Sequence, residues 1–321
     1  MFQLLVSYLL IFTVALMIVA FGGMFAERSG VINLGLEGTM VVSGFVGLMV
    51  LSSMNKAGAN PALIVIVTLL VAIAAGMLYS MLLAVACVTF KADQTLVGTA
   101  MNLLSTSLAL IVTKKMTGGA STAIQYNKDV FVFRFLGVEM NVFFFIGVVI
   151  LVLAIIVLYK LKFGLRLKAC GENPSAADSV GINVKKYRYY GVLISGALAG
   201  VGALAYILPT QSFWNSASGV SGFGFLALAV MIFGQWKPVR ISVVALFFSF
   251  FMSLSFLYSG FFKEFFGIIL TADMGVTPEL FKMIPYIMSL VLLAFTSKNN
   301  HAPAAEGIPY DKEKRWHTPI I

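Results

Sequence analysis

Residues 61–89 read PALIVIVTLLVAIAAGMLYSMLLAVACVT, a run of 29 residues without a charged side chain. A bilayer core about 30 Å thick requires about 20 apolar residues in a helix that crosses it. The run therefore predicts a membrane-spanning helix, with enough length to cross the bilayer at a strong tilt. Similar apolar runs recur along the whole chain.

The overall composition agrees with this prediction. Of the 321 residues, 60% are hydrophobic and 11% are charged, whereas soluble domains have about 45–50% apolar and about 25% charged residues. A soluble domain of this size must cover its exterior with polar side chains. The composition excludes a soluble enzyme, and the 28 phenylalanines exclude a disordered chain.

Nine apolar runs predict about nine transmembrane helices, with eight to ten as the range because two runs are short and one is long. The expected fold class is all-α, a polytopic integral membrane protein. Residues 1–296 form the predicted transmembrane domain, and the polar, proline-containing residues 297–321 form a tail expected to be disordered. The runs lie at about 3–25, 36–51, 61–89, 95–113, 142–159, 190–208, 222–236, 241–259 and 280–296.

The basic residues predict the orientation. The formal charge is +9, and in a membrane protein lysine and arginine accumulate on the cytoplasmic side, so this excess does not indicate nucleic-acid binding. The loop at about 160–189 holds seven basic residues, and alternation of the spans places 15 of the 22 on its side. This predicts an external N-terminus and a cytoplasmic C-terminus. The alternative is that residues 26–38 form one broken, re-entrant unit with the N-terminus inside.

The segment that joins the first two spans is unusually polar. It reads ERSGVINLGLEG at 27–38, and its three glycines predict a break in the helix. Irregular backbone at membrane depth is tolerated where it is buried in protein or lines a wet cavity. Asn33 and Glu37 are therefore candidates for a translocation path. The alternative is an interfacial loop in which Glu27 and Arg28 pair.

A second polar group begins the fourth predicted span. Asp93 is expected to cap that helix. Gln94 and Asn102 lie eight residues apart and so share one helix face. They could hydrogen-bond a polar solute in the path, or another helix. On the sixth span, Gly196 and Gly200 form a small-xxx-small pattern that predicts close helix packing.

The loop from 161 to 190 contains a helix start signal. Asn173 precedes Pro174, which suits the first helical position, and Gly181 follows as a stop. A helix of one or two turns is not stable alone and needs a partner surface. The alternative, a solvated basic loop that only sets topology, does not account for this capped helix.

Several classes of site are absent from the sequence. It has no GxxxxGK[ST] phosphate loop, both histidines (His301 and His317) lie in the tail, and its two cysteines, Cys87 and Cys170, form no metal-binding pattern. The transmembrane domain offers no catalytic set of side chains. We therefore expect no catalytic residues, no metal site and no cofactor.

Four motifs together resemble the permease subunits of bacterial ABC importers. They are ERSGVINLGLEG at 27–38, GENPSAA at 171–177 with VGINV at 180–184, SGALAG at 195–200, and MIPY at 283–286. Within that superfamily, which includes ribose-type and branched-chain amino-acid permeases, the chain is most similar to the nucleoside (guanosine-type) permeases. The likeness runs from about residue 20 to 296.

The resemblance implies a pore-forming subunit in the bacterial cell membrane. Its implied partners are an ABC ATPase with tandem nucleotide-binding domains, a second permease that is usually a paralogue, and an extracellular solute-binding lipoprotein. It also implies that the capped loop is the coupling helix that docks into the ATPase, and Lys168 departs from the arginine that is frequent in the family. The implied coupling residues are Gly171, Glu172, Asn173, Pro174, Ala176, Ala177, Gly181 and Ile182.

Two alternative functions are weighed against nucleoside import. One is a permease for ribose or another simple sugar. The other is an ion-coupled secondary transporter, which would need paired titratable residues within its spans. Only Glu37 and Asp93 come near that requirement.

Overall fold

The computed structural model describes residues 2–119, 121–135, 138–257, 283–296 and 302–312. The α-helices in these ranges are α1 (Phe2–Arg28), α2 (Leu36–Lys56), α3 (Pro61–Ala84), α4 (Gln94–Met116), α5 (Val142–Tyr159), α6 (Lys162–Glu172), α7 (Pro174–Ser179), α8 (Val184–Thr210), α9 (Phe223–Phe233), α10 (Pro238–Phe256) and α11 (Ile284–Thr296). Seven of them are long and apolar enough to cross a membrane, namely α1–α5, α8 and α10, where α3 includes its π-helical extension Val85–Thr89.

The all-α, polytopic fold class is confirmed, but the count of nine spans is not. Helix α9, where the seventh span is predicted, has 11 residues. At 1.5 Å per residue it is about 16 Å long, roughly half of the bilayer core. The described part of the last predicted span, α11, has 13 residues.

Helices α1, α2 and α8 are the most buried of the long helices, whereas α4 and α5 are mostly exposed. The centre of the bundle depends on the close approach of α8 to α3. A Cβ atom on Gly196 would overlap the carbonyl oxygen of Gly76 and the side chain of Ser80, and one on Gly200 would overlap the carbonyl oxygen of Ala72. The glycine pattern therefore packs two backbones together, as the sequence predicts.

The two ends of the bundle differ. At one end, Arg28 at the end of α1 contacts Glu172 of α6; we call this the basic end. At the other, the beginning of α1 lies beside the strand β3 (Val138–Asn141). The other strands are β1 (Ala123–Gln125), β2 (Val132–Phe135) and β4 (Phe213–Asn215), which follows the end of α8. Strand β1 pairs antiparallel with β4, and β2 pairs antiparallel with β3. We call this the strand end, and its strands are not predicted from the sequence.

Two segments at the basic end differ from the expectation. The stretch at 162–172 is the helix α6, whereas the sequence predicts only the shorter helix after Asn173. Residues 302–312, expected in a disordered tail, pack on the bundle: Ala305 is buried, and its N–H donates to the carbonyl of Gly171 over 2.8 Å. The polar composition hides this because the segment is held mainly through backbone groups and ion pairs.

Candidate functional site

Helical structure is interrupted between α1 and α2, as predicted. Gly30 has φ +91°, a conformation that favours glycine, and Ser29 and Asn33 are buried within the bundle. We call residues 29–35 the break. Because its backbone groups are not paired as in a helix, they need other hydrogen-bond partners inside the protein.

Helix α4 supplies those partners. The Gln94 side chain accepts from the N–H of Ile32 (2.7 Å). The Asn102 side chain accepts from the N–H of Gly38 (2.8 Å) and donates to the carbonyl of Leu34 (2.9 Å). Both side chains therefore contact protein, which is the second of the two alternatives drawn from the sequence. Asp93 caps α4 by accepting from the N–H of Leu96, as expected.

Asn33 connects the break to α8. Its Nδ2 donates to the hydroxyl of Ser195 on α8 (2.8 Å), and its Oδ1 is buried without a hydrogen-bond partner among the described residues. Hydrogen bonds thus fix the break to both α4 and α8.

Glu37 closes the N-terminus of the half-length helix α9. Its two carboxylate oxygens accept from the N–H groups of Gly222 (2.8 Å) and Gly224 (2.6 Å). The first N–H groups of a helix lack partners within the helix and carry partial positive charge, so a carboxylate is stabilised there. Glu37 therefore contacts backbone amides.

The interfacial-loop alternative expects Glu27 and Arg28 to pair with each other. Instead, Glu27 accepts a hydrogen bond from the indole N–H of Trp236, and Arg28 donates one to Glu172.

A cavity of about 390 Å³ lies between α1, α8, α10 and α11. It borders the beginning of α9, since Ser221 is part of its wall and the hydroxyl of Tyr286 donates to the Ser221 carbonyl (3.2 Å). The Tyr206 ring stacks on Phe223 of α9 with ring centroids 4.1 Å apart. The residues that line the cavity are Phe12, Tyr206, Gln211, Ser221, Leu226, Met252, Ser255, Phe256, Pro285 and Tyr286.

This cavity is not evident from the sequence. Its walls come from segments far apart in the chain, and aromatic residues are too frequent here for any one of them to stand out. The sequence feature that could indicate the cavity is the presence of tyrosine, glutamine and serine near the ends of apolar helices.

The helix predicted after Asn173 is α7. The Asn173 side chain accepts from the N–H of Ala176 (2.9 Å), Pro174 occupies the first turn, and Gly181 ends the helix with φ +82°. Start, proline position and stop are therefore confirmed. Packing holds one face of this short helix, where Pro174 and Ala177 are buried.

The eight predicted coupling residues fall into two groups. Gly171, Pro174 and Ala177 are buried, and a Cβ on Gly171 would overlap the carbonyl oxygen of Arg28. The exposed or partly exposed members are Glu172, Asn173, Ala176, Gly181 and Ile182. Beside them, Val180 is 74% exposed. The loop thus presents an outer surface next to α7.

Lys168 and Cys170 lie on α6. The Lys168 ammonium sits over the Tyr159 ring at 4.0 Å, a cation–π contact that a lysine makes as well as an arginine. Burial, and then the charge of Arg28, lower the pKa of Lys168. Burial raises the pKa of the Cys170 thiol to about 11, so it stays protonated. No group of metal-ligating side chains occurs in the described ranges.

The comparisons with known proteins agree on one family. Residues 5–293 match the family described as "Branched-chain amino acid transport system / permease component". The guanosine ABC transporter permease protein NupQ of Bacillus subtilis is 36% identical over 95% of this chain and 96% of its own.

Two permeases of Lactococcus lactis are also similar. The nucleoside ABC transporter permease protein NupC is 33% identical over 97% of this chain and 98% of its own. The nucleoside ABC transporter permease protein NupB is 33% identical over 34% of this chain and 30% of its own.

Proposed function

Because this chain belongs to the branched-chain amino acid transport system permease family, we propose that it is the transmembrane permease subunit of an ATP-driven ABC importer for nucleosides. The observation that carries the substrate class is the likeness, over nearly the whole chain, to a guanosine permease and a nucleoside permease. The pore is this chain's contribution, and ATP hydrolysis belongs to a separate ATPase with tandem nucleotide-binding domains.

The basic end is the cytoplasmic end in this proposal, and the C-terminus lies on the same side. The concentration of lysine and arginine around α6 and α7 supports this orientation. Helix α7 docks into the ATPase through the face that does not pack on this protein. The inner face of α7 packs on the protein, while Ala176, Ser179 and Val180 are exposed for a partner.

Two further partners complete the importer. A second permease, a paralogue of this chain, is supported by the partial likeness to NupB alongside the full-length likeness to NupC. A solute-binding lipoprotein delivers nucleoside at the strand end. The complex lies in the bacterial cell membrane.

We place nucleoside passage in the cavity beside α9. Its volume falls within the range of small-molecule sites, about 300–1,000 Å³. Aromatic rings stack on bases, and Tyr206 and Tyr286 supply them here; Gln211 and Ser221 supply hydrogen-bonding groups. Asn33, Glu37, Gln94 and Asn102 then shape the path by fixing the break and α9, and need not touch the solute.

Substrate class is tested by uptake in cells that carry the complete transporter. Guanosine uptake should be competed by other purine nucleosides and not by ribose. Competition by ribose alone would replace the nucleoside proposal with the sugar alternative. Uptake that continues without ATP but follows an imposed ion gradient would point to the secondary-transporter alternative.

Docking is tested with arginine on the exposed side of α7. Ala176→Arg and Val180→Arg add bulk and charge there without disturbing the buried Pro174 and Ala177. Both should lower ATPase co-purification and uptake while membrane insertion is kept. Met116→Arg is the matched control, since Met116 is 59% exposed on α4 and far from α7. Normal ATPase binding by both α7 variants would refute docking through this surface.

A further inference from the structure

Residues 302–312, which we call the C-terminal strap, lie across the basic end of the bundle. They contact α6, α7, α8 and the turn between α3 and α4. At α6 and α7, the N–H of Ala305 donates to the Gly171 carbonyl (2.8 Å), and Lys312 lies 3.7 Å from Asp178. The turn between α3 and α4 is reached by an ion pair between Asp311 and Lys91 (2.8 Å).

Helix α8 holds the strap through Arg188. The guanidinium is almost completely buried, and its Nη1 donates to the carbonyl of Ile308 over 2.8 Å. Its Nε and Nη2 have no hydrogen-bond partner among the described residues. A buried cation is costly unless it is hydrogen-bonded, so the Ile308 carbonyl is an important contact for Arg188.

The strap also covers the break. Gly307 lies against Ile32, and the Glu306 side chain lies beside that of Glu27 at the end of α1. The break is in turn held by Gln94 and Asn102 of α4. A continuous series of packed and hydrogen-bonded groups therefore runs from α7 through the strap to the break.

We propose that the C-terminal strap is a brace that transmits movement of α7 to the break, and through it to α4 and α8. The inference rests on the proposed function, in which ATP-driven closure of the ATPase moves α7. Small displacements at a docking helix produce rigid-body movement only where stiff elements connect it to the spans. Helix α7 has only six residues, and the strap joins it to the bundle by contacts that its own short flanking turns do not make.

The proposal is tested with two truncations of the full transporter, reconstituted with its ATPase, partner permease and lipoprotein. A stop after Lys312 removes residues 313–321 and leaves the strap. A stop after His301 removes the strap as well. Co-purification of the ATPase, ATP hydrolysis and nucleoside imported per ATP are measured for each.

The stop after Lys312 should behave as the complete chain. The stop after His301 should still bind the ATPase and hydrolyse ATP, while nucleoside imported per ATP falls at least fivefold. Unchanged import per ATP would overturn the brace. Loss of ATPase binding in that truncation alone would also overturn it, because the strap would then belong to the docking surface.

If the shorter chain does not fold, a charge exchange provides the second test. Lys91→Glu places two carboxylates together at the Lys91–Asp311 contact and should lower import per ATP. Lys91→Glu with Asp311→Lys should restore it. Equal coupling in the single and double variants refutes the brace.

The proposed function fails separately, if the complete chain binds no ATPase or imports only a sugar. The ratio of import to ATP hydrolysis, taken relative to the complete chain, can be read for whichever solute is carried.

Discussion

The carboxylate of Glu37 accepts a 2.6 Å hydrogen bond from the backbone N–H of Gly224, although Glu37 and Gly224 lie 187 positions apart in the chain. This bond fixes the beginning of α9 to the beginning of α2. A half-length helix inside a membrane protein needs such a partner, since the N–H groups of its first turn have no acceptors within the helix. The position of α9, and of the cavity beside it, therefore depends on Glu37.

Replacing Glu37 tests this dependence. Glu37→Ala should lower the free energy of unfolding by about 2 kcal/mol, because two hydrogen bonds to a charged acceptor are lost. Glu37→Gln keeps one acceptor oxygen and should lose less. Stability is measured by denaturant titration in detergent, with Glu172→Ala as control, since an exposed ion pair contributes about 0–1 kcal/mol. Equal effects of Glu37→Ala and Glu172→Ala would show that the cap is not important for stability.

Asn102 should matter more than its neighbours on α4. Asn102→Ala removes the hydrogen bonds to Gly38 and Leu34 and should cost about 1–3 kcal/mol, because these partly buried backbone groups lose their partners. Ser107→Ala is the control, since Ser107 bonds only within its own helix. That change should stay within about 0.5 kcal/mol. Similar losses in the two variants, measured by the same titration, would argue against a structural role for Asn102.

The contact between α3 and α8 predicts a strong size limit at Gly196. Gly196→Leu should destabilise the protein by about 3 kcal/mol or more, because the new side chain overlaps backbone of α3 that cannot move aside. Ala197→Leu, at a partly exposed position of the same helix, should be tolerated. The yield of monodisperse protein after detergent extraction distinguishes them. A normal yield of Gly196→Leu would mean that the two helices can separate without penalty.

The cavity predicts two roles for Tyr286. Tyr286→Phe loses the hydrogen bond to the Ser221 carbonyl but keeps the ring, so nucleoside uptake should fall at most about threefold. Tyr286→Ala also removes the ring and should cost about 1–3 kcal/mol of binding, a rise in KM of about 5- to 150-fold. Uptake is measured at several guanosine concentrations, with expression matched. A Tyr286→Ala variant with unchanged KM would move the solute path away from this cavity.

Strap docking should depend on pH. Burial is the main cause that raises the pKa of Glu306 to about 7, against the lowering effects of the neighbouring Glu27 side chain and the charge of Arg28. A carboxyl whose pKa is raised in the docked state favours docking most below its free pKa of 4.5, and this contribution is lost as the pH rises toward about 7.

A spin label at Ile308→Cys reports on this docking, because Cys87 and Cys170 are both buried. The label should be less mobile at pH 5.5 than at pH 8. In Glu306→Gln the difference should disappear, since the amide does not titrate. The same pH response with and without the Glu306 carboxyl would assign the effect to another group.

Much of the local structure follows from short stretches of sequence. Seven of the nine apolar runs, the break at Gly30, the Asp93 cap and the helix between Asn173 and Gly181 are found where the sequence predicts them. These features depend on residues within one or two helical turns. The length of α9 was overestimated, because Gly222 and Gly234 end it inside an apolar run.

The choice between alternatives needed contacts across the chain. The sequence favoured helix contact slightly over solute contact for Gln94 and Asn102, and only their distances to Ile32, Leu34 and Gly38 show which protein groups they bond. The strap was missed for the same reason. Its anchor, Arg188, is 120 residues from Ile308, and the contact uses a backbone carbonyl that has no signature in the sequence.

By itself, the sequence determined that the chain is a multi-pass membrane protein with a broken first pair of helices and a capped helix on a basic loop. Those conclusions rest on apolar length, glycine and capping residues, which act locally. Only the tertiary structure decided what the few polar groups do. In an apolar interior each polar group must find a partner, and that partner, for Glu37, Asn102 and Arg188 alike, is a backbone group distant in the chain.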